Sequence, residues 1–295
     1  MKLKPSRRTA IRKIVGTTAG LAVSGSLFNR VSASEKSLDQ TTKGRINHSI
    51  SRWCYNSIEL DDLCKACNDI GIRSIELTGP DEWPTLKKHG LTCAMGNGAG
   101  FGIKDGWNEP GLHEDLIKSY EELIPKAAKA GIPSIILLSG NRKGMDDEQG
   151  MINCAKGIRK ITSLAEKHKV NLVIELLNSK IDHKDYMCDR TTWGAALVEM
   201  VGSERFGMLY DIYHMQIMEG DVIRTIGDYH KYIFHYHTGG VPGRNEIDET
   251  QELNYTAIMK SIADTGFNGF VGQEYVPTWD DKLASLRKCI GICSV

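Results

Sequence analysis

Apolar and polar positions along the chain follow two alternating rhythms. Short runs rich in β-branched residues read as strands at 46–53, 73–77, 91–97, 133–139, 171–177, 206–211, 232–238 and 270–275. Between them apolar positions recur at helical spacing, near 58–70, 82–89, 112–130, 148–168, 191–201, 218–229, 254–264 and 279–290. Gly71, Gly90, Gly131, Gly202 and Gly266 stand just past helical stretches, where a left-handed cap is wanted. Strand and helix in alternation, joined by short connections, is the rhythm of βα units on a parallel sheet. Eight such units favour an α/β fold closed as a (β/α)₈ TIM barrel over an open doubly wound sheet. No G-x-G-x-x-G follows the first strand, so a dinucleotide-binding fold has no support.

The first forty-five residues break this rhythm. Ser6, Arg7, Arg8 and Thr9 precede a mild apolar run from Ile14 to Phe28, and Val31, Ser32 and Ala33 supply a cleavage-type site. The paired arginines before a weakly hydrophobic core resemble a twin-arginine export signal. The expected organisation is a signal at 1–33, a polar linker at 34–45 and one catalytic domain at 46–295. The expected location is periplasmic or extracellular, with the twin-arginine export machinery as a partner. That route carries proteins already folded, which suits a metal site loaded before export.

Composition narrows the function classes. The 295 residues are 41% hydrophobic, enough for one large core, and 37 basic side chains balance 37 acidic ones. A neutral chain has no electrostatic footprint for nucleic acid. No membrane-length apolar run follows residue 45. Among eight cysteines, Cys64 and Cys67 form a lone C-x-x-C within a helical pattern, and Cys289 and Cys293 lie near the C-terminus; both pairs read as helix packing. The glycine-rich stretch Met95 to Gly102 lacks the Lys-Ser/Thr of a phosphate loop and reads as a long loop able to approach substrate.

Candidate chemistry lies in the second half. Glu175, Asp211, His237 and Glu274 each end a predicted strand, with gaps of 36, 26 and 37 positions, each near one βα unit. In a barrel every strand ends on the same face, so four successive ends surround one point. Three carboxylates gathered there repel one another unless a cation neutralises them. One imidazole with three carboxylates suits one divalent ion, Mn²⁺, Mg²⁺ or Zn²⁺, and the absence of thiols disfavours a structural zinc site.

The same residues carry a resemblance. Ile174 to Asn178, the run Tyr210 to Gly220 and Gly272 to Tyr275 resemble the hydroxypyruvate isomerase family, a branch of the xylose isomerase-like TIM barrels. The resemblance implies that Glu175, Asp211, His237 and Glu274 hold the metal, and that Glu175 and Glu274 are the catalytic pair that moves protons. It also implies that His214 contacts substrate oxygens and that Arg244 lies in the loop after strand seven. Bacterial members tend to carry Gln where His237 stands, which brings this site closer to the sugar epimerases. The loop Arg244 to Tyr255 also departs from the family's glycine-rich version. Barrels of this family often form dimers or tetramers, so a homo-oligomer is within its range.

The expected reaction is isomerisation of an α-hydroxy carbonyl through an enediolate, with hydroxypyruvate as the expected small-molecule substrate. Epimerase, lyase or hydratase chemistry on keto-sugars or 3-keto-glycosides is the alternative, and a non-catalytic sugar-binding barrel or a repair nuclease is remoter. Asn178 and His183, with Lys180 and Asp182, come after strand five and are candidates for the pocket wall. His214 has a second reading as support for Asp211. Glu76, His48 and Trp53 read as capping or packing residues, and His235 alternates with His237 and is expected to face the same way.

Overall fold

The computed structural model describes residues 44–295. The expected signal and nearly all of the linker lie outside the described residues. The first half contains β1 (Asn47–Ser51), α1 (Leu60–Ile70), β2 (Ser74–Glu76), α2 (Trp83–Lys88), α3 (His113–Ala130), β3 (Ser134–Leu137), α4 (Asp147–His168) and β4 (Asn171–Glu175). The second contains α5 (Thr191–Val201), β5 (Phe206–Asp211), α6 (Ile212–Met218), α7 (Val222–Tyr229), β6 (Ile233–Thr238), α8 (Tyr255–Asp264), β7 (Phe270–Gln273) and α9 (Lys282–Cys293). Each of the five glycines expected at helix ends has positive φ.

The strands form one parallel sheet in the order β2-β1-β7-β6-β5-β4-β3. The stretch 91–97, expected as a full strand, instead makes single bridges: Thr92 to Ser74, and Gly96 to both Thr78 and Ile135. Hydrogen bonds from Ile75 N to Thr92 O and from Ile136 N to Gly96 O, both 3.1 Å, join it to β2 and β3. The barrel closes there through a thin seam. Gly96 and Gly98 give a ladder little side-chain support at this point, which is why the run does not zip into a regular strand.

Alternation assigns the layers. Met95, Ile136, Val173 and Leu209 form a small inner cluster, and the large cluster between sheet and helices takes the intervening residues, such as Ile135, Leu137, Leu172, Ile174 and Met208. Two positions after Val173 comes Glu175, and two after Leu209 comes Asp211, so both carboxylates continue the inner face to its mouth. β6 needs a correction of register to join them. Met208 pairs with Ile233 but Leu209 pairs with His235, leaving Phe234 as the extra residue of a bulge. Its ring packs over Gly207, where a Cβ would stand 2.5 Å away. Beyond the bulge Asp211 pairs directly with His237, so the two share a face.

Two helices stand where one was expected: the stretch 218–229 is α7, starting at Val222, and α6 precedes it. Asp211 caps α6: its Oδ1 accepts from His214 N at 3.1 Å. The residues of α6 are almost all apolar and mostly buried, so no amphipathic stripe announces it. All eight cysteines are buried and free, those of α1 and α9 included. The two ends of the domain meet, with Arg45 N donating to Val295 O at 2.8 Å. No helix among the described residues is long and apolar enough to cross a membrane.

Candidate active site

The fold delivers all four strand-end residues to one place. Ligand-type atoms of Glu175, Asp211, His237 and Glu274 lie within 4.8 Å of one another, and all four residues are buried. His237 Nδ1 is the centre of the group, 2.7 Å from Glu274 Oε2, 3.4 Å from Glu175 Oε1 and 4.0 Å from Asp211 Oδ2. None of these approaches has hydrogen-bond geometry, and Nδ1 has no partner among the described residues. A buried imidazole nitrogen without a partner, ringed by carboxylate oxygens, fits a divalent cation in donor type and number.

The far side of the imidazole is fixed. His237 Nε2 lies 2.6 Å from Glu76 Oε1, and His235 Nε2 lies 2.9 Å from the same oxygen. Glu76 ends β2 and is fully buried. It reaches across the barrel over Gly272, where a Cβ would come within 2.2 Å of its carboxylate. A carboxylate on Nε2 holds the ring so that the Nδ1 lone pair points into the cluster. Burial opposes the charge on Glu76, but the two histidines outweigh it and hold its carboxyl down to about 2.

Arg244 and Trp53 complete the wall. The Arg244 Nη2 donates to Glu274 Oε2 at 2.5 Å and to Asp211 Oδ2 at 3.3 Å, while Trp53 Nε1 donates to Glu274 Oε1 at 2.7 Å. The Arg244 guanidinium lies 5.3 Å from the Trp53 ring and 5.4 Å from the Tyr213 ring, and its backbone takes the left-handed region with φ +59°. These contacts separate the two glutamates electrostatically. Burial raises Glu175, and the charge of Glu274 adds to that rise. Burial also works on Glu274, but His237 and Arg244 prevail and hold it far below the usual range. Asp211 is pushed up to about 7, chiefly by burial against the pull of Arg244.

A cavity of about 570 Å³ opens beside the cluster, with Glu175, Glu274, Arg244, His183 and Trp53 on its wall. Asn178 and His214, expected to contact substrate, do not line that cavity. Both are fully buried behind Asp211. The Asn178 amide lies 2.6 Å from His214 Nδ1 and donates to Asp182 Oδ2 at 2.7 Å, and His214 Nε2 stands 3.6 Å from Asp211 Oδ2. The two act as a brace, and Asp182 belongs to it through a 2.8 Å bond from Tyr213. Lys180 is spent on the last carbonyls of α6. Glu76 and Trp53, which read as packing from sequence, are in direct contact with the cluster. The signal for Glu76 is its place at a strand end, shared with the other three acids; nothing local marks Trp53.

An α/β barrel whose buried acids and imidazole gather where the strands end is built like an enzyme that works at the mouth of its barrel. Residues 64–289 match the xylose isomerase-like TIM barrel family, and the chain belongs to that family. It is 31% identical over 169 residues to the hydroxypyruvate isomerase of Escherichia coli (strain K12), covering 57% of this chain and 65% of that one. It is 26% identical over 234 residues to the 2-oxo-tetronate isomerase of Pectobacterium atrosepticum, covering 76% and 88%. Among solved structures, an AP endonuclease, family 2, from Brucella melitensis superposes with a TM-score of 0.75 at 22% identity, over 82% of this chain and 97% of that one. The 3-keto-D-glucoside 4-epimerase of E. coli gives 0.70 at 15%, over 83% and 98%. At these identities the structural likeness speaks to the fold alone.

Proposed function

We propose that this isomerase interconverts an α-hydroxy carbonyl compound by moving a proton between neighbouring carbons through an enediolate, with Glu175 and Glu274 as the proton-moving pair. One observation carries the reading: the carboxylates of Glu175, Asp211 and Glu274 converge on the Nδ1 of His237, which has no hydrogen-bond partner among the described residues. Glu175, Asp211, His237 and Glu274 would hold one divalent ion, Mn²⁺, Mg²⁺ or Zn²⁺, which when bound supplies Lewis-acid stabilisation of the charge that develops on the substrate oxygens. Glu175 and Glu274, both on the cavity wall, take and return the substrate proton between them. Glu274 is held as an anion and oriented by Trp53 and Arg244, on the opposite side of the cluster. Arg244 and His183 face the cavity and contact the oxygens of the bound molecule.

Two substrate classes compete. Relatives named as hydroxypyruvate and 2-oxo-tetronate isomerases support a short hydroxy-acid. An imidazole at 237 and a roomy cavity support a keto-sugar or 3-keto-glycoside. The deciding experiment is a substrate panel run on purified protein after chelation and after return of Mn²⁺, Mg²⁺ or Zn²⁺, with metal content measured in parallel. Activity should vanish with the metal and return with it, and Glu175→Gln or Glu274→Gln should each lower kcat about 10²- to 10⁴-fold. Full activity in chelator, or in both variants, would refute the proposal. The reading extends to an export signal at 1–33 ahead of one domain at 46–295, which mass analysis of the N-terminus of exported material would test.

A further inference from the structure

The cavity does not end at the carboxylates. It continues beneath the loop Asn97 to Trp107 into a chamber walled by Leu77, Leu116, Ile136, Leu138, Tyr120 and Trp107. The chamber is built rather than incidental, because the loop is pinned at both ends. Asn97 N donates to Thr78 O at 3.0 Å, Trp107 N to Leu138 O at 3.2 Å and Asn108 N to Ser139 O at 2.9 Å. Gly98 and Gly106 sit so tightly on β3 and its continuation that a Cβ would come within 2.5 Å of Ile136 O and 2.3 Å of Leu138 O respectively.

Most polar side chains of this wall are engaged with the protein itself. Asn97 Nδ2 donates to Leu77 O at 3.0 Å, Tyr120 Oη to Ile136 O at 2.6 Å, and Asp105 pairs with Lys143 at 2.6 Å. Trp107 is 1% exposed, its ring packed against Tyr120 with 5.5 Å between centroids. Sugar hydroxyls pushed into such a chamber would lose water and gain few side-chain partners, which is unfavourable. A three-carbon hydroxy-acid, at roughly 100 Å³ or some three water volumes, would leave most of the 570 Å³ untouched. An apolar group matches that surface.

We infer that the substrate is a keto-sugar bearing an apolar substituent, such as an aryl aglycone, and that the chamber under the Asn97 to Trp107 loop receives that substituent while the sugar's hydroxy-carbonyl end meets Glu175 and Glu274. This inference rests on the isomerase reading for its chemistry but on the chamber alone for its selectivity.

The test compares hydroxypyruvate, a free ketohexose and a phenyl keto-glucoside on the metal-loaded full chain, with Trp fluorescence titrations of phenyl and methyl glucoside as a binding readout that needs no turnover. The phenyl compound should lead in kcat/KM by about thirtyfold or more, the worth of a buried aromatic ring. Leu138→Trp, which fills the chamber, should erase that lead through KM. Hydroxypyruvate or the free ketose performing as well as the phenyl compound overturns the inference. If nothing is turned over, tighter binding of phenyl than methyl glucoside sustains the chamber while the isomerase reading falls, and equal binding sinks both.

Discussion

A single carboxylate, Glu76, decides which nitrogen of His237 faces the acids. Its Oε1 receives two imidazole nitrogens, and its position between them exists because residue 272 has no side chain. Glu76→Gln keeps a hydrogen-bonding oxygen but removes the charge, so divalent-ion affinity measured by calorimetry should fall about 10- to 100-fold while the thermal midpoint changes little. Unchanged affinity would show that the pair with Glu76 is structural only. The four inner ligand residues are legible in the sequence because they repeat at strand ends. Glu76 and Trp53 read there as packing, since their roles depend on which residues they meet across the barrel, at separations of 161 and 221 positions. His214 and Asn178 are legible as site residues but not as a brace, because chain order places a residue after a strand without giving the direction of its side chain.

At the scale of the element, register does most for the site. The bulge at Phe234 turns His235 and His237 inward, and Gly207 supplies the room for its ring. Gly207→Ala would force a contact of 2.5 Å against that ring and should cost about 1–3 kcal/mol in urea unfolding. It should also lower metal affinity, because relief of the clash moves the histidines; a stability loss with affinity intact would separate the two effects. Period-2 and helical patterning reveals seven of the eight staves and most helices. Patterning misses α6 and overstates 91–97, since apolar runs carry no stripe and glycines carry no face. The cap at α4 is a simpler case: Asp146 Oδ1 accepts from Glu148 N and Gln149 N, and Asp146→Ala should cost about 1 kcal/mol by the same measurement.

For the whole molecule, acid tolerance is set in part far from the site. His48 on β1 is buried, touches Ser294 Oγ at 3.2 Å through Nε2, and burial lowers its pKa to about 4. The unfolded chain protonates this ring near 6.5 and the folded chain only near 4, so the unfolded state binds more protons between those values. Its contribution is therefore complete above pH 6.5 and drains away as pH falls toward 4, on the order of 3 kcal/mol in all. His48→Gln should flatten that part of the stability curve in denaturant titrations, and an unaltered slope would remove His48 as the cause.

The bond between Arg45 N and Val295 O closes the domain's outline at the end of the barrel opposite its catalytic mouth. A fused partner or affinity tag attached after Val295 thus departs from the floor and leaves the entrance clear. The chain can equally be rewired: a short linker joining residues 295 and 46, with new ends cut beside Gly266, should give a circular permutant with the parent's kinetics.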